Sequence, residues 1–183
     1  MKNLLGVLAF GLLSANIAHA NLLTNGGFET GNFTGWTVTD SSNYTTVAST
    51  GAFGYNSQSG NYFASLGATP NPGTVTQNVA TVAGGTYSIS FWLASNGQTP
   101  NSFSVSWNGS TLLDLTNIAV QPYTQYTLEG VASGSTSTLT FSEMDNPSYL
   151  ALDSVNVTRV PEPAAVALFG IGLLGLVAAR RKS

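Results

Sequence analysis

The 183-residue sequence contains no cysteine, and its single histidine, His19, lies close to the N-terminus. Lysine and arginine total five, and all but Arg159 fall at the two ends (Lys2, Arg180, Arg181, Lys182). Each absence excludes something. Without cysteine no disulfide braces the fold, so stability must come from packing or from a bound ion. Without a histidine or cysteine beyond residue 19, neither a Ser-His-Asp or Cys-His arrangement nor a His/Cys zinc site can be assembled in the body of the chain. The catalytic chemistry left is that of paired carboxylates, as in glycoside hydrolysis. Of the eight acidic residues, seven (Glu29, Asp40, Asp114, Glu129, Glu143, Asp145, Asp153) lie in residues 21–159 against one cation, Arg159. Such a surface repels phosphate backbones, and nucleic acid is excluded as a partner.

The two ends read as routing segments. Residues 1–20 have the form of a signal peptide: Lys2 supplies a positive start, Leu4 to Leu13 an apolar run, and Ala18-His19-Ala20 the small residues of a cleavage site. The alternative is a retained anchor helix, for which the run is too short to span a bilayer. Cleavage after Ala20 leaves Asn21 first. At the other end, residues 164–179 are uncharged and mostly apolar. As a helix they reach about 24 Å, against a hydrocarbon core of about 30 Å. Arg180, Arg181 and Lys182 follow and favour the cytoplasmic side. Pro161 and Pro163 keep the preceding chain extended. The reading divides the chain into residues 1–20, a domain at 21–159, and a tail at 160–183.

The tail resembles the PEP-CTERM sorting signal: a Pro-Glu-Pro triplet (Pro161, Glu162, Pro163), a short Gly- and Leu-rich transmembrane stretch, and a terminal basic cluster (Arg180, Arg181, Lys182). The resemblance implies an exosortase as processing partner, a membrane-bound intermediate held by the C-terminal helix, and delivery to the surface or extracellular matrix of an exopolysaccharide-making Gram-negative bacterium. The parallel is the removable tail of a glycolipid-anchor signal. An ordinary single-span tail anchor is the alternative.

Between the ends, short runs of alternating β-branched and aromatic residues recur at 36–40, 44–49, 62–67, 74–80, 86–94, 102–107, 110–115, 123–131, 137–143 and 149–158. Gly84-Gly85, Asn96-Gly97, Asn108-Gly109 and Asn146-Pro147 punctuate them. Asn108-Gly109 suits the type I′ turn of a hairpin. No segment of the domain sustains a helical period. Ten short strands with close turns predict an all-β sandwich.

The segment "NLLTNGGFETGNFTGWT" and the closing "YLALDSVNVT" together resemble the galactose-binding-like jelly roll of many carbohydrate-binding modules. The residues carrying the resemblance are Asn25, Gly26, Phe28, Glu29, Gly35, Trp36, Leu152, Asp153 and Val155. It implies a jelly-roll sandwich, and a structural Ca²⁺ bound with the help of Glu29 and Asp153. Asp153 shares strand parity with Val155 and Val157; if that face is the core, a buried carboxylate without a lysine or arginine nearby calls for a hard cation. If instead Leu150 and Leu152 mark the core face, Asp153 is solvated.

Trp36 and Trp107 are expected in the core. Trp92 falls on the face of its strand opposite Tyr87, Ile89, Phe91 and Leu93, beside Ser88 and Ser90. There it either stacks on a sugar ring, with Tyr55 among the tyrosines near turns that join it, or packs under a loop or second sheet. Asn-x-Ser/Thr triplets at Asn32, Asn43, Asn108 and Asn156 follow from the abundance of those residues. Glu143 and Asp145 sit near a loop, too close in sequence to be assigned acid and base roles. The leading expectation is a non-catalytic, exported surface or matrix protein associated with exopolysaccharide. The alternatives are a purely structural or adhesive surface protein, and a carboxylate-dependent glycosidase.

Overall fold

The computed structural model describes residues 20–161. The expected signal peptide up to residue 19, with Ala18, and the tail from Glu162 through Pro163, the apolar stretch and the basic cluster lie outside the described residues. Ten strands run through the described chain: β1 (Thr37–Thr39), β2 (Thr46–Ser49), β3 (Tyr62–Leu66), β4 (Gly73–Ala80), β5 (Thr86–Ser95), β6 (Asn101–Trp107), β7 (Ser110–Thr116), β8 (Gln121–Val131), β9 (Thr136–Asp145) and β10 (Leu150–Arg159). They form two five-stranded sheets, ordered β1-β4-β9-β6-β7 (sheet A) and β2-β3-β10-β5-β8 (sheet B). Every pairing is antiparallel. The architecture is a jelly-roll β-sandwich.

Each of the ten apolar runs became one strand. The reason is visible in β5, where Tyr87, Ile89, Phe91 and Leu93 are buried and Ser88, Ser90 and Trp92 take the opposite face. Period-two alternation commits one face to the core, and a one-residue slip would expose all four. β6 does the same with Phe103, Val105 and Trp107. The two inner faces meet through aromatic contacts: Phe91 lies 5.7 Å from Phe103 and 5.4 Å from Phe141. Asn108 and Gly109 both take the left-handed conformation (φ 52° and 79°) that a type I′ turn requires, closing the β6–β7 hairpin. The outer face of sheet A carries hydroxyls and amides, joined across strands as Thr76–Thr140 at 3.2 Å and Thr138–Asn78 at 2.9 Å.

The segment before β1 is anchored rather than extended into a strand. Leu22 donates its N–H to the Val157 carbonyl at 2.9 Å, and the Asn21 side chain both donates to the Val155 carbonyl and accepts from the Val157 N–H. A Cβ added at Gly26 would lie 2.1 Å from the Val155 carbonyl oxygen. Only glycine permits that approach. Phe28, fully buried, then packs against Trp36 at 5.7 Å, and Trp36 reaches Phe141 at 6.1 Å. Trp36 and Trp107 are both core residues.

The structure decides between the two faces open to Asp153 on β10. The pairing of β10 with β5 runs Asp153↔Trp92, then resumes one residue out of step at Asn156↔Ser90. Ser154, at φ 52°, is the extra residue of a β-bulge. The bulge inverts the parity of the strand. Leu150 and Leu152 share the core with Val155 and Val157, whereas Asp153 lies on the outer face, opposite to the direction simple alternation gives.

Candidate functional site

The outer face of sheet B carries the groups singled out from the sequence. Its β2-β3 side is covered by the β2–β3 connection, residues 50–61, over a second apolar cluster of Ala48, Phe63, Ala94 and Ala151 with Ala52, Tyr55 and Tyr123. A single 3₁₀ turn, Ala52–Gly54, starts this connection. Tyr55 anchors it: the ring stands edge-on to Phe63 at 6.1 Å, and the hydroxyl donates to the Tyr149 carbonyl at 2.8 Å. Burial pushes the Tyr55 hydroxyl pKa up to about 12, with the charge of Asp145 adding to the effect.

Asp153 is fully buried although it faces away from the core, because the connection folds over it. Its Oδ2 accepts from the Gln58 N–H at 2.8 Å and the Ser59 N–H at 3.1 Å, and its Oδ1 accepts from the Ser154 N–H. Burial raises the Asp153 pKa, these three amides draw it down, and the charge of Glu29 raises it again. Glu29 itself is exposed and accepts from the Asn61 N–H (2.9 Å to Oε2) and the Tyr62 N–H (3.0 Å to Oε1). The approach is close enough that a Cβ on Gly60 would lie 2.3 Å from the Glu29 carboxyl carbon. Gly27 lies between the two acids: a Cβ there would be 3.7 Å from Glu29 Cγ and 4.0 Å from Asp153 Oδ1.

Two carboxylates thus converge on residues 58–62 with only amide dipoles to offset their charge. The donor set is all oxygen, as hard cations prefer. Two ionised carboxylates offer about eight lone-pair sites, more than the residue 58–62 amides and Ser154 occupy. The residues present fit a Ca²⁺ ion, and Glu29 and Asp153 are the side chains that would hold it, lending it charge neutralisation and a cross-link between the N-terminal segment and β10. Among the described residues no group of three or more His, Cys, Asp and Glu side chains is arranged for a metal, so further ligands would be backbone oxygens or water.

The other half of the outer face, over β10, β5 and β8, is open. Trp92 is half-buried there, with Asp153 opposite it on β10 and Gln125 opposite it on β8. Ser88, Ser90, Thr127, Glu129 and Asn156 extend the face as a polar strip. An indole bordered by hydroxyls, amides and a carboxylate presents an apolar platform with hydrogen-bonding neighbours, the combination that a sugar ring matches. Trp92 and Asp153 therefore share one face, while Tyr55 belongs to the cover rather than to the open strip.

Sequence reasoning missed Tyr123. Its hydroxyl is buried without a hydrogen-bond partner, and burial, followed by the charge of Asp153, raises its pKa. A signal existed in the irregular alternation of β8, where a register shift near Leu93 and Ser95 sets Tyr123 against the second apolar cluster.

Comparison with known proteins agrees with this architecture. Residues 20–112 match the model of a family described as carbohydrate binding domain, and residues 159–182 match the PEP-CTERM protein-sorting motif. No curated protein sequence matches the chain. Among solved structures, TmCBM61 in complex with β-1,4-galactotriose aligns with a TM-score of 0.60 at 19% identity, over 77% of this chain and 99% of that one. The CBM22-1 xylan-binding domain of Paenibacillus barcinonensis Xyn10C aligns with a TM-score of 0.55 at 19% identity, over 81% and 100%. The K3 cleaved adhesin domain of Lys-gingipain from Porphyromonas gingivalis also aligns, with a TM-score of 0.55 at 17% identity, over 77% and 99%. At these identities the structures share the fold. The family match spans half of the sequence, and on it the chain belongs to the carbohydrate-binding domain family, with a PEP-CTERM sorting motif following the domain.

Proposed function

We propose that this is an exported, non-catalytic carbohydrate-binding protein that an exosortase processes at its tail and that resides at the cell surface or in the matrix, in contact with exopolysaccharide. The observation that carries the glycan reading is the placement of Trp92: partly buried on the outer face of sheet B, between rows of polar side chains from β10 and β8. In this reading the indole face stacks on the apolar face of a sugar, and Gln125 and the neighbouring hydroxyls exchange hydrogen bonds with its hydroxyl groups. Ca²⁺ held by Glu29 and Asp153 has a structural role, keeping the β2–β3 connection closed over the sheet beside Trp92. The sorting motif supports export, and the absence of histidine, lysine and cysteine from residues 21–158 supports a binding rather than a catalytic role.

A glycan-array screen of the surface-extracted protein, with and without calcium, tests the proposal. Binding that Trp92→Ala removes supports it. Absence of binding to any glycan, including the host's own exopolysaccharide, would leave the structural or adhesive role instead. Glycan hydrolysis would contradict the non-catalytic assignment.

A further inference from the structure

A second pair of acids lies at the end of the core, away from the outer face of sheet B. Along β9, Ser137, Leu139, Phe141, Glu143 and Asp145 alternate onto the inward face and are all buried. The last two are carboxylates, Glu143 at 0% and Asp145 at 1% exposure. Glu143 is held on both oxygens: Oε1 accepts from the Thr45 hydroxyl and Oε2 from the Ala68 N–H at 3.1 Å. A Cβ on Gly73 would come within 2.9 Å of Oε1, so the Glu143 carboxyl group is closely confined.

Asp145 differs. Both its oxygens are buried, and neither has a hydrogen-bond partner of ordinary geometry. The Ser148 amide draws its pKa down only in part. The main-chain N–H of Asp145 donates to the Ala68 carbonyl at 3.2 Å, tying β9 to the same residue that binds Glu143. Asp145 lines a cleft of about 300 Å³ together with Tyr44, Gly67, Thr69, Asn146 and Tyr149, among others.

Among the described residues the surroundings supply negative charge and no cation. Asp40, in the β1–β2 connection, accepts from the Ser42 and Thr45 amides, and its charge acts on Glu143. The charge of Asp145 also acts on Tyr55. Arg159, the only basic side chain among the described residues, sits at the far end of β10 from Leu150. A buried carboxylate must be protonated, paired or metal-bound, and among the described residues no basic side chain lies at this end to pair.

We propose that Asp145, with Glu143 two residues before it on the same face of β9, is the centre of a cation site distinct from Glu29 and Asp153, one that takes a hard divalent ion of the Ca²⁺ class at the inner wall of the cleft. Three features converge on that ligand. The donors are all oxygens, with no nitrogen or sulfur to favour a softer metal. The Asp145 oxygens are buried and make no hydrogen bond of ordinary geometry, although the residue lines the cleft, so their lone pairs lack a full set of partners. The remaining positions would come from oxygens at irregular segments on either side of the cleft, which suits the flexible coordination of Ca²⁺ better than the strict octahedron of Mg²⁺.

The test is the number of calcium ions bound by the purified full-length protein, measured by titration calorimetry at pH 8 with calcium as the only ligand. Asp145→Asn keeps the side-chain volume and removes the charge, so the expected result is one calcium fewer than in the unsubstituted chain. An unchanged number of bound ions would overturn the proposal and leave protons to neutralise the pair. If Asp145→Asn fails to give a native circular dichroism spectrum, Glu143→Gln is judged by the same criterion. The comparison is a difference between two chains that both keep Glu29 and Asp153. It therefore reads the same whether or not those residues bind calcium, and whether or not any glycan binds.

Discussion

Asp153 and Trp92 face one another directly across β10 and β5, on the outer side of sheet B. One is sealed beneath the β2–β3 connection and the other is only partly buried. The boundary between covered and open sheet thus runs between two paired residues. Anything that loosens the connection over Asp153 also alters the border of the Trp92 platform.

Trp92→Ala should therefore separate binding from stability. A partly buried indole contributes only part of its area to the fold, so the expected stability loss is about 1–2 kcal/mol, below the 3–5 kcal/mol typical of fully buried aromatics. Glycan affinity should fall at least tenfold, as for a central aromatic contact. Thermal melting and glycan titration of the same variant measure both. A large fall in melting temperature with unaltered affinity would remove Trp92 as the contact.

Chelation should lower the melting temperature if Glu29 and Asp153 hold calcium. An ion at 100 times its dissociation constant contributes about 2.7 kcal/mol, a shift of about 10 °C for a domain of this size. Asp153→Ala should melt lower than the unsubstituted chain even in chelator, because the Gln58 and Ser59 amides lose their acceptor. Chelator should lower its melting temperature less than that of the unsubstituted chain. Identical melting curves with calcium and with chelator would exclude a cation role for both acids.

In chelator the domain should be more stable at pH 5 than at pH 8. Burial pushes Glu143 up from 4.5 to about 7 and Asp145 from 3.8 to about 6. Folded carboxyls with raised pKa values hold protons that the unfolded chain has released, so their contribution is full below about pH 4 and is lost as pH rises through 6 to 7. Asp153 is raised as well and acts in the same direction. Asp40 is the opposite case: against burial, hydrogen bonds from Ser42 and Thr45 hold it near 2, so its stabilising effect is lost only below pH 4. Melting temperatures across pH 5–8 should slope downward, and Glu143→Gln with Asp145→Asn should flatten the slope.

Intact-mass analysis of protein extracted from the surface of an exosortase-containing host should show a chain that begins at Asn21 and lacks Arg180, Arg181 and Lys182. Recovery of the basic cluster on the surface form would point to an ordinary membrane anchor.

Much of the fold was legible because sheet formation leaves a local trace. The alternation in β5, β6 and β9 and the Asn108-Gly109 turn are properties of neighbouring residues. The side of β10 taken by Asp153 was not legible. It depends on the bulge at Ser154, and the bulge fits against Gly26, more than a hundred positions earlier, through the Val155 N–H donating to the Gly26 carbonyl at 2.8 Å. The grouping of Glu29 with Asp153 came from resemblance, and the two carboxylates accept from neighbouring amides of residues 58–62. The inward direction of Glu143 and Asp145 was encoded in the period that places Leu139 and Phe141 inside. Charge made a solvent-facing loop the natural reading of the same letters.

The central position of β10 has a mechanical consequence. The strand lies between β3 and β5, bonded on both sides, and the chain leaves it at Arg159 toward the sorting motif. A pull on the tail enters the domain along the axis of β10. Antiparallel ladder bonds lie perpendicular to that axis, so such a pull loads the β5 ladder from Arg159 to Leu150, and the β3 ladder at residues 150–152, in shear instead of opening them one bond at a time from an edge. The open face around Trp92 is built on the same sheet, and tension between a tethered tail and a ligand held on that face would pass through β10 and β5 without crossing the core to sheet A.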